Sequence, residues 1–281
     1  MAQTLKESGY RNYFVYGGES HFDNMRGFLL NNGFDIAIDE KDYKEWNYKG
    51  SWGVSDEDLF DKAHEIFEDE EEPFFALVFS SSFHSPYDFP DDKIELYEPE
   101  KRTKLNAVKY ADYAVGHFFR KARKSSYWDD TVFMVVADHD ERPRGSSLVP
   151  VNSYHIPGVI LGAGIKPMVV KEVTSHIDLM PTLFGLLGIS GQAPLIGQNV
   201  LARPPGYPGR AIMQFGNNHA YMVGNQVVIH RPDKPVLQFE YRDKELIPTT
   251  LDDGLAADAL AMALLPGLLY KNRWYQAPIQ K

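Results

Sequence analysis

Apolar and polar positions fall in blocks that predict alternating strands and helices. Thr131–Ala137 is an unbroken β-branched and apolar run that ends abruptly in Asp138, His139 and Asp140. Such a run suits a strand covered on both faces of a parallel sheet. Phe74–Phe79 reads as a second buried strand, and Asn12–Tyr16, Phe34–Ile38 and Ile156–Leu161 as shorter ones. Between them the apolar period lengthens to that of a helix. Ser55-Asp56-Glu57-Asp58 has the form of a capping box and opens a helix with Leu59, Ala63, Ile66 and Phe67 on its apolar face. The acidic run Glu68–Glu72 opposes the dipole at that helix's end and predicts fraying before Pro73. Thr103–Lys124 is the longest predicted helix, with Leu105, Val108, Ala111, Tyr113, Val115, Phe118 and Phe119 near helical period. Ser175–Asp178 repeats the capping pattern, and Gly188 ends the helix Ile177–Leu187 that follows. Asp39–Trp52 is aromatic and charged with no clean period and reads as a surface loop.

From about Gly191 the pattern changes. A proline-rich connection leads to short strands at Ala211–Phe215, Ala220–Val223, Gln226–His230 and Val236–Tyr241, with Gly224-Asn225 as a hairpin turn. Asp252–Tyr270 then reads as an amphipathic helix rich in Ala and Leu. The predicted class is α/β: a mostly parallel sheet flanked by helices, with a small C-terminal antiparallel subregion. Residues 1–201 are expected to form the α/β portion. Residues 202–281 add hairpins and a terminal helix packed on the same domain.

Charge narrows the functions. The 281 residues carry 39 acidic against 29 basic side chains, and a net charge of −10 argues against general nucleic-acid binding. There is no cysteine, which removes thiolate and disulfide chemistry. No apolar run approaches the roughly 18–20 residues of a membrane span, and the first residues lack the form of a signal peptide. The chain as written is expected to be soluble.

Chemistry is expected where parallel strands end, because ligands bind off their carboxyl ends. Asp138 and His139 offer one hard oxygen and one imidazole nitrogen, a set that suits Zn²⁺ or Mn²⁺ better than Ca²⁺. The same two residues also fit a turn cap followed by a surface histidine, and two adjacent ligands are too few for a site. Asn12–Tyr16 runs into Gly17-Gly18, then the polar stretch Glu19–Asn24. Phe74–Phe79 runs into Ser80–Tyr87, which carries His84, a residue that suits either a hydrogen-bonded loop or catalysis.

Five phrases now stand in order: YGGESHFDNM, FSSSFHSPY, NAVKYADYAVGHFF, VVADHD and HIDLMPTL. Together they resemble the C-terminal portion of the alkaline-phosphatase/sulfatase superfamily, in its lipoteichoic-acid-synthase-like phosphoglycerol transferase branch of proteobacterial type. The resemblance covers roughly Leu5–Leu201. It implies a metal-dependent phosphoglycerol or phosphoethanolamine-type transferase, or a phosphodiester hydrolase, acting on lipid or glycan headgroups of the cell envelope. It implies one divalent metal, Mn²⁺ or Zn²⁺ with Mg²⁺ possible, held in part by Asp138 and His139. It makes His84 the histidine that contacts the phosphate or leaving group, and Glu19, His21 and Asn24 positional candidates for the headgroup pocket. Gram-positive synthases use a Trp and an Arg there, which this chain is expected to lack. His155 and Asp178 sit at matching positions with structural roles expected. The family is membrane-anchored, with its catalytic domain outside the cytoplasm.

The resemblance also places a threonine nucleophile and the first acidic ligand ahead of Leu5–Tyr16, where this sequence offers neither. The expectation is a chain without that machinery, prone to self-association or to pairing with the missing N-terminal half. A non-catalytic truncated paralogue or headgroup-binding module is the alternative. A third reading is a hydrolase using another nucleophile such as Ser82.

Overall fold

The computed structural model describes residues 1–140, 145–162, 164–190 and 193–276. Arg142 and Arg144 of the polar loop after His139 lie outside the described residues. The chain divides into two units, Met1–Thr131 with Gly162–Gly164, and the remainder. The expected boundary at 201–202 falls inside the second.

The first unit opens with α1 (Ala2–Glu7), β1 (Arg11–Tyr16), α2 (Met25–Asn31) and β2 (Ile36–Ile38). There follow a two-stranded hairpin, β3 (Lys49–Gly50) and β4 (Gly53–Val54), then α3 (Asp56–Asp69), β5 (Phe74–Phe79) and α4 (Lys104–Ala122). β1 is the centre of a parallel sheet of order β2-β1-β5. Its residues from Asn12 to Tyr16 are all buried, as a central strand's should be. Phe14 and Tyr16 pack with Ala2, Phe34 and Ala37. The buried Asn12 amide donates to the carbonyls of Ala2 and Gly33, at 2.8 Å each, and so fixes α1 and the turn before β2 to the sheet.

The capping readings hold. Ser55 caps α3 by accepting from the Asp58 N–H, and Ser175 with Asp178 forms the second capping box. Thr103, not expected as a cap, also caps α4 by accepting from the Asn106 N–H. Three expectations change. The end of α3 is pinned rather than frayed, because Glu70 accepts from Arg11 at 3.4 Å and from the Tyr13 hydroxyl. α4 buries Ala107, Tyr110, Ala114, Phe118 and Ala122, while Leu105 and Val108 face solvent. Asp39–Trp52 is not one loop but a capped 3₁₀ turn, Glu40–Asp42, followed by the β3–β4 hairpin.

The second unit begins with β6 (Val132–Val136) and β7 (Gly158–Gly162), a two-stranded sheet, followed by α5 (Leu179–Leu187). β6 was expected to be covered on both faces, yet Val135 and Val136 are exposed. β5, in the first unit, likewise exposes Leu77. Among the described residues β5 is the last strand of its sheet and β6 pairs with β7 alone, so each keeps an open edge. The C-terminal portion is a five-stranded antiparallel meander: β8 (Arg210–Phe215), β9 (Asn218–Val223), β10 (Gln226–His230), β11 (Leu237–Arg242) and β12 (Glu245–Pro248). Alternation along β10 sends Val227 and Ile229 to one core with Val149, Val151, Met213 and Phe239. Val228 goes to the other face, against α6 (Asp253–Lys271).

Asp178 anchors the irregular part of this unit. It is fully buried, accepts from the Ser175 N–H at 3.0 Å and the Gln198 N–H at 2.8 Å, and pairs with Arg203 at 2.8 Å. Arg210 lies 3.6 Å away. The motif HIDLMPTL thus serves architecture: Asp178 closes a capping box and ties the start of α5 to the segment around residue 198 and to Arg203. Removing one partner of a buried pair leaves the other charge unpaired and costs about 3–5 kcal/mol. Asp178→Ala is therefore expected to lower the denaturant midpoint of this unit sharply, while Arg242→Ala, on the exposed end of β11, leaves it unchanged.

Candidate active site

The register of the first sheet builds the site. Tyr16 of β1 lies beside Phe79 of β5, so the two parallel strands end together and send their following loops to one edge. The first loop begins at Gly17-Gly18. The β3–β4 hairpin lies directly against it: the Val54 N–H donates to the Gly17 carbonyl at 2.9 Å. A Cβ on Gly18 would stand 2.5 Å from the Trp52 carbonyl, and one on Gly53 (φ +108°) would stand 2.0 Å from the Gly17 carbonyl. Only glycine permits this backbone approach.

The consequence is the position of Trp52 at the hairpin tip. Its ring lies 4.2 Å from the His84 ring, centroid to centroid, and 5.5 Å from Phe22 in an edge-to-face contact. Its indole N–H donates to the Ser85 carbonyl at 2.8 Å. Trp52 thereby joins the first loop to the second. Asp88 holds the hairpin tip from the other side, accepting from the Ser51 N–H at 3.1 Å and the Ser51 hydroxyl at 2.6 Å. These hydrogen bonds, with Arg102 3.2 Å away, keep the Asp88 carboxyl below its usual range. A small cleft opens here, lined by Trp52, Ser81, His84 and Asp88.

The His84 Nδ1 lies 2.8 Å from the Ser85 carbonyl. A carbonyl only accepts, so Nδ1 carries a proton and Nε2 is left for a ligand. The loop beneath is held by Asp56. Its buried carboxylate accepts from the N–H groups of Ser81 and Ser82 at 2.9 and 3.0 Å. The Ser82 hydroxyl in turn accepts from the Asp56 N–H at 3.0 Å. Ser82 is thus buried and engaged in positioning the loop, which argues against a nucleophile's role. Burial pushes the Asp56 carboxyl above its ordinary value, against the opposing pull of those donors.

Of the other positions read from the sequence, Glu19 and His21 are exposed and lie 3.3 Å apart. Asn24 takes a left-handed conformation at the start of α2, next to a left-handed Asp23. The structure brings none of the three into the Trp52–His84 contact; Phe22 from that stretch makes it instead. Trp52 and Phe22 were missed because aromatic residues in a stretch without period carry no signal of where they point.

Asp138 and His139 follow β6 in the second unit. Both side chains are exposed, at 60% and 68%. The His139 Nδ1 lies 2.6 Å from the Asp140 carbonyl, so it too is the protonated nitrogen. Its Nε2 faces an Asp138 carboxylate oxygen at 3.3 Å. With Nε2 unprotonated, two lone pairs point at one another, an arrangement a shared cation relieves. The donor types therefore fit part of a divalent ion's shell. Among the described residues no cluster of three ligating side chains exists, so the pair has no third donor there. His176 also reaches this strand end, its Nε2 2.9 Å from the Ala137 carbonyl. His155 is exposed after a 3₁₀ turn and precedes β7 by two residues.

Comparison with known proteins places the fold. The sulfatase family profile matches residues 1–189. The chain belongs to the sulfatase family. A solved sulfatase-superfamily relative, a protein of the alkaline phosphatase superfamily from Vibrio parahaemolyticus, is 44% identical with a TM-score of 0.95, covering 99% of this chain and 69% of that one. The lipoteichoic acid synthase LtaP of Listeria monocytogenes is 25% identical with a TM-score of 0.78, covering 96% and 72%. Phosphoglycerol transferase I of Xanthomonas campestris pv. campestris is 27% identical over 242 residues, which is 78% of this chain and 33% of that protein. The chain spans about a third of the length of such curated relatives. The chain thus joins an alkaline-phosphatase-type parallel sheet to a C-terminal antiparallel sheet of five strands, and its sequence is similar to that of phosphoglycerol transferase I.

The anchoring of the His84 loop has a measurable signature. Because the Asp56 carboxyl is raised, its contribution to stability is full below the ordinary value of 3.8 and falls as pH rises through the higher folded value. The wild-type midpoint is therefore expected to lose ground to Asp56→Asn as pH is raised from the acid side. Asp56→Ala leaves the Ser81 and Ser82 amides unpaired, at about 1–3 kcal/mol each, and should shift the His84 imidazole resonances in NMR spectra.

Proposed function

We propose that this chain carries the headgroup-binding and leaving-group part of a sulfatase-family phosphoglycerol transferase. The observation that carries the reading is the contact of Trp52 with His84 at the edge where β1 and β5 end. An indole face beside an imidazole suits the C–H face of a small polyol ester, with His84 turned to its phosphate or bridging oxygen. Since Nδ1–H is committed to the Ser85 carbonyl, a proton gained at Nε2 is the one His84 gives to the departing alkoxide as the P–O bond breaks. Glu19, His21 and Asn24 remain rim candidates for headgroup hydroxyls.

Sulfatase-superfamily enzymes are typically metal-dependent. A divalent ion held by Asp138 and His139, Mn²⁺ or Zn²⁺, supplies Lewis-acid polarisation of a phosphoryl oxygen when bound. In this proposal the attacking hydroxyl and the remaining ligands are not assigned to this sequence. They come from a strand–acid–threonine segment contributed by a further stretch or partner chain. The open edge of β5, with Leu77 exposed, suits strand addition and supports the same reading.

A second reading is a headgroup-binding module without turnover. It is favoured by the exposure of Asp138 and His139 and by the missing third donor among the described residues.

Titration with sn-glycerol 1-phosphate, followed by ligand-detected NMR, tests the shared part of both readings. Saturable binding is expected, weakened about tenfold or more, or 1.4 kcal/mol, by Trp52→Ala and by His84→Ala. Equal binding by wild type and both variants would remove the headgroup assignment. Hydrolysis of an activated phosphodiester by the chain joined to a segment that carries the strand, acid and threonine, with added Mn²⁺, then separates the two. Turnover lost in His84→Ala and in Asp138→Asn supports the enzyme, and binding without turnover supports the module.

A further inference from the structure

The terminal helix α6 has two unlike halves. Asp252 caps it by accepting from the Leu255 N–H at 2.9 Å. Its first half packs on the antiparallel sheet, with Ala256 and Ala259 buried against Tyr221 and Val228, and Leu255 and Met262 beside them. The His230 Nε2 lies 3.0 Å from the Ala256 carbonyl and fixes the same half. Ala256 and Ala259 are the only buried residues of the helix among those described. The expected amphipathic helix is instead apolar nearly all round.

Leu260, Leu264 and Leu268 recur every fourth residue and form one exposed stripe. Leu264 is 55% exposed. Past the helix the chain turns back on itself. The Asn272 N–H donates to the Leu268 carbonyl at 3.0 Å and the Trp274 N–H to the Leu269 carbonyl at 2.9 Å. This turn presents Trp274 beyond the stripe, with Tyr275 stacked 6.1 Å from Tyr270. Lys271 and Arg273 stand exposed among these rings. From Ala259 to Gln276 there is no acidic residue, in a chain whose net charge is −10. The acids Asp252, Asp253 and Asp258 all lie at the other end.

We infer that the second half of α6, with its aromatic and basic end, docks on a lipid bilayer surface. A leucine stripe closed by Trp, Tyr, Lys and Arg is the pattern of an interfacial helix: apolar side chains enter the acyl boundary while rings and cations lie among headgroups. A helical protein partner fits less well. Such seams are flanked by charged residues that set register, whereas Ala261, Ala263 and Gly267 flank this stripe. By length and composition alone α6 would cross a bilayer. Its first half is held on β9 and β10, which favours lying at the surface over spanning.

Flotation of the full chain with vesicles tests this, using phosphatidylcholine alone and with about one quarter phosphatidylglycerol. Binding to both is expected, stronger on the anionic vesicles. The double variant Leu264→Asp, Leu268→Asp should lower it about tenfold or more on both. Lys271→Glu with Arg273→Glu should lower it on anionic vesicles only. Circular dichroism checks that the helix persists, and brominated lipid should quench Trp274 in wild type but not in Trp274→Phe. Absence of flotation, or flotation unchanged in the leucine variant, overturns the inference. So does a dimer in light scattering that the leucine variant abolishes while wild type ignores vesicles.

Discussion

The close approach of backbone at Gly17, Gly18 and Gly53 is the constraint on which the candidate site depends. β1 and β5 end in register, which places two loops at one edge but does not connect them. The connection is Trp52, and it reaches both loops only because the hairpin carrying it rests on glycine. A side chain at Gly18 or Gly53 would collide with the facing backbone, so the hairpin would have to shift. The Asp88 carboxylate and the Asp56 carboxylate then secure the two partners, one at the hairpin tip and one beneath the histidine loop. Five residues of two weakly informative types, three glycines and two aspartates, thus position one aromatic wall and one imidazole.

Legibility in the sequence followed the range of the interaction. Capped helices were readable because Ser55 and Ser175 act on amides three residues away. β1 was readable from its run Tyr13–Tyr16, which is apolar and aromatic because a central strand is covered on both faces. The β3–β4 hairpin was not, since strands of two residues leave no period and are held by contacts with a glycine pair more than thirty positions earlier. The apolar face of α4 was misread for a related reason. Leu105 and Val108 satisfy the helical period by chemistry, yet Ala107, Tyr110 and Ala114 face the core, because close helix packing selects small residues as readily as large ones. The covering of β6 was overread: an apolar run records what a strand can be packed against, and Val135 and Val136 stay 39% and 38% exposed.

The histidines show how much of the site's chemistry is set by backbone carbonyls. His84 and His139 both commit Nδ1 to the carbonyl of a following residue. Sequence could name both residues but not this choice, which decides the reactive nitrogen of each. The shared arrangement leaves Nε2 outward in each case, toward solvent at His84 and toward the Asp138 carboxylate at His139. The same geometry leaves the two histidines in different settings, and under the proposed function the neighbouring group would decide which handles a proton and which shares a cation.

Asp178 marks the contrast between a carboxylate that builds and one that is available to react. Both Asp178 and Asp138 lie near strand or helix ends in the motifs that suggested the family, and residue type alone does not separate them. Asp178 has both oxygens saturated by two amides and Arg203, and no solvent reaches it. Asp138 spends one oxygen on the His139 N–H at 2.8 Å and leaves the other facing an imidazole in open solvent. A buried, saturated carboxylate stays fixed in place, whereas an exposed one with a spare lone pair loses little in exchanging water for a ligand. Chemistry is therefore to be sought at Asp138 and stability at Asp178, although the sequence presents both as an acid beside a histidine.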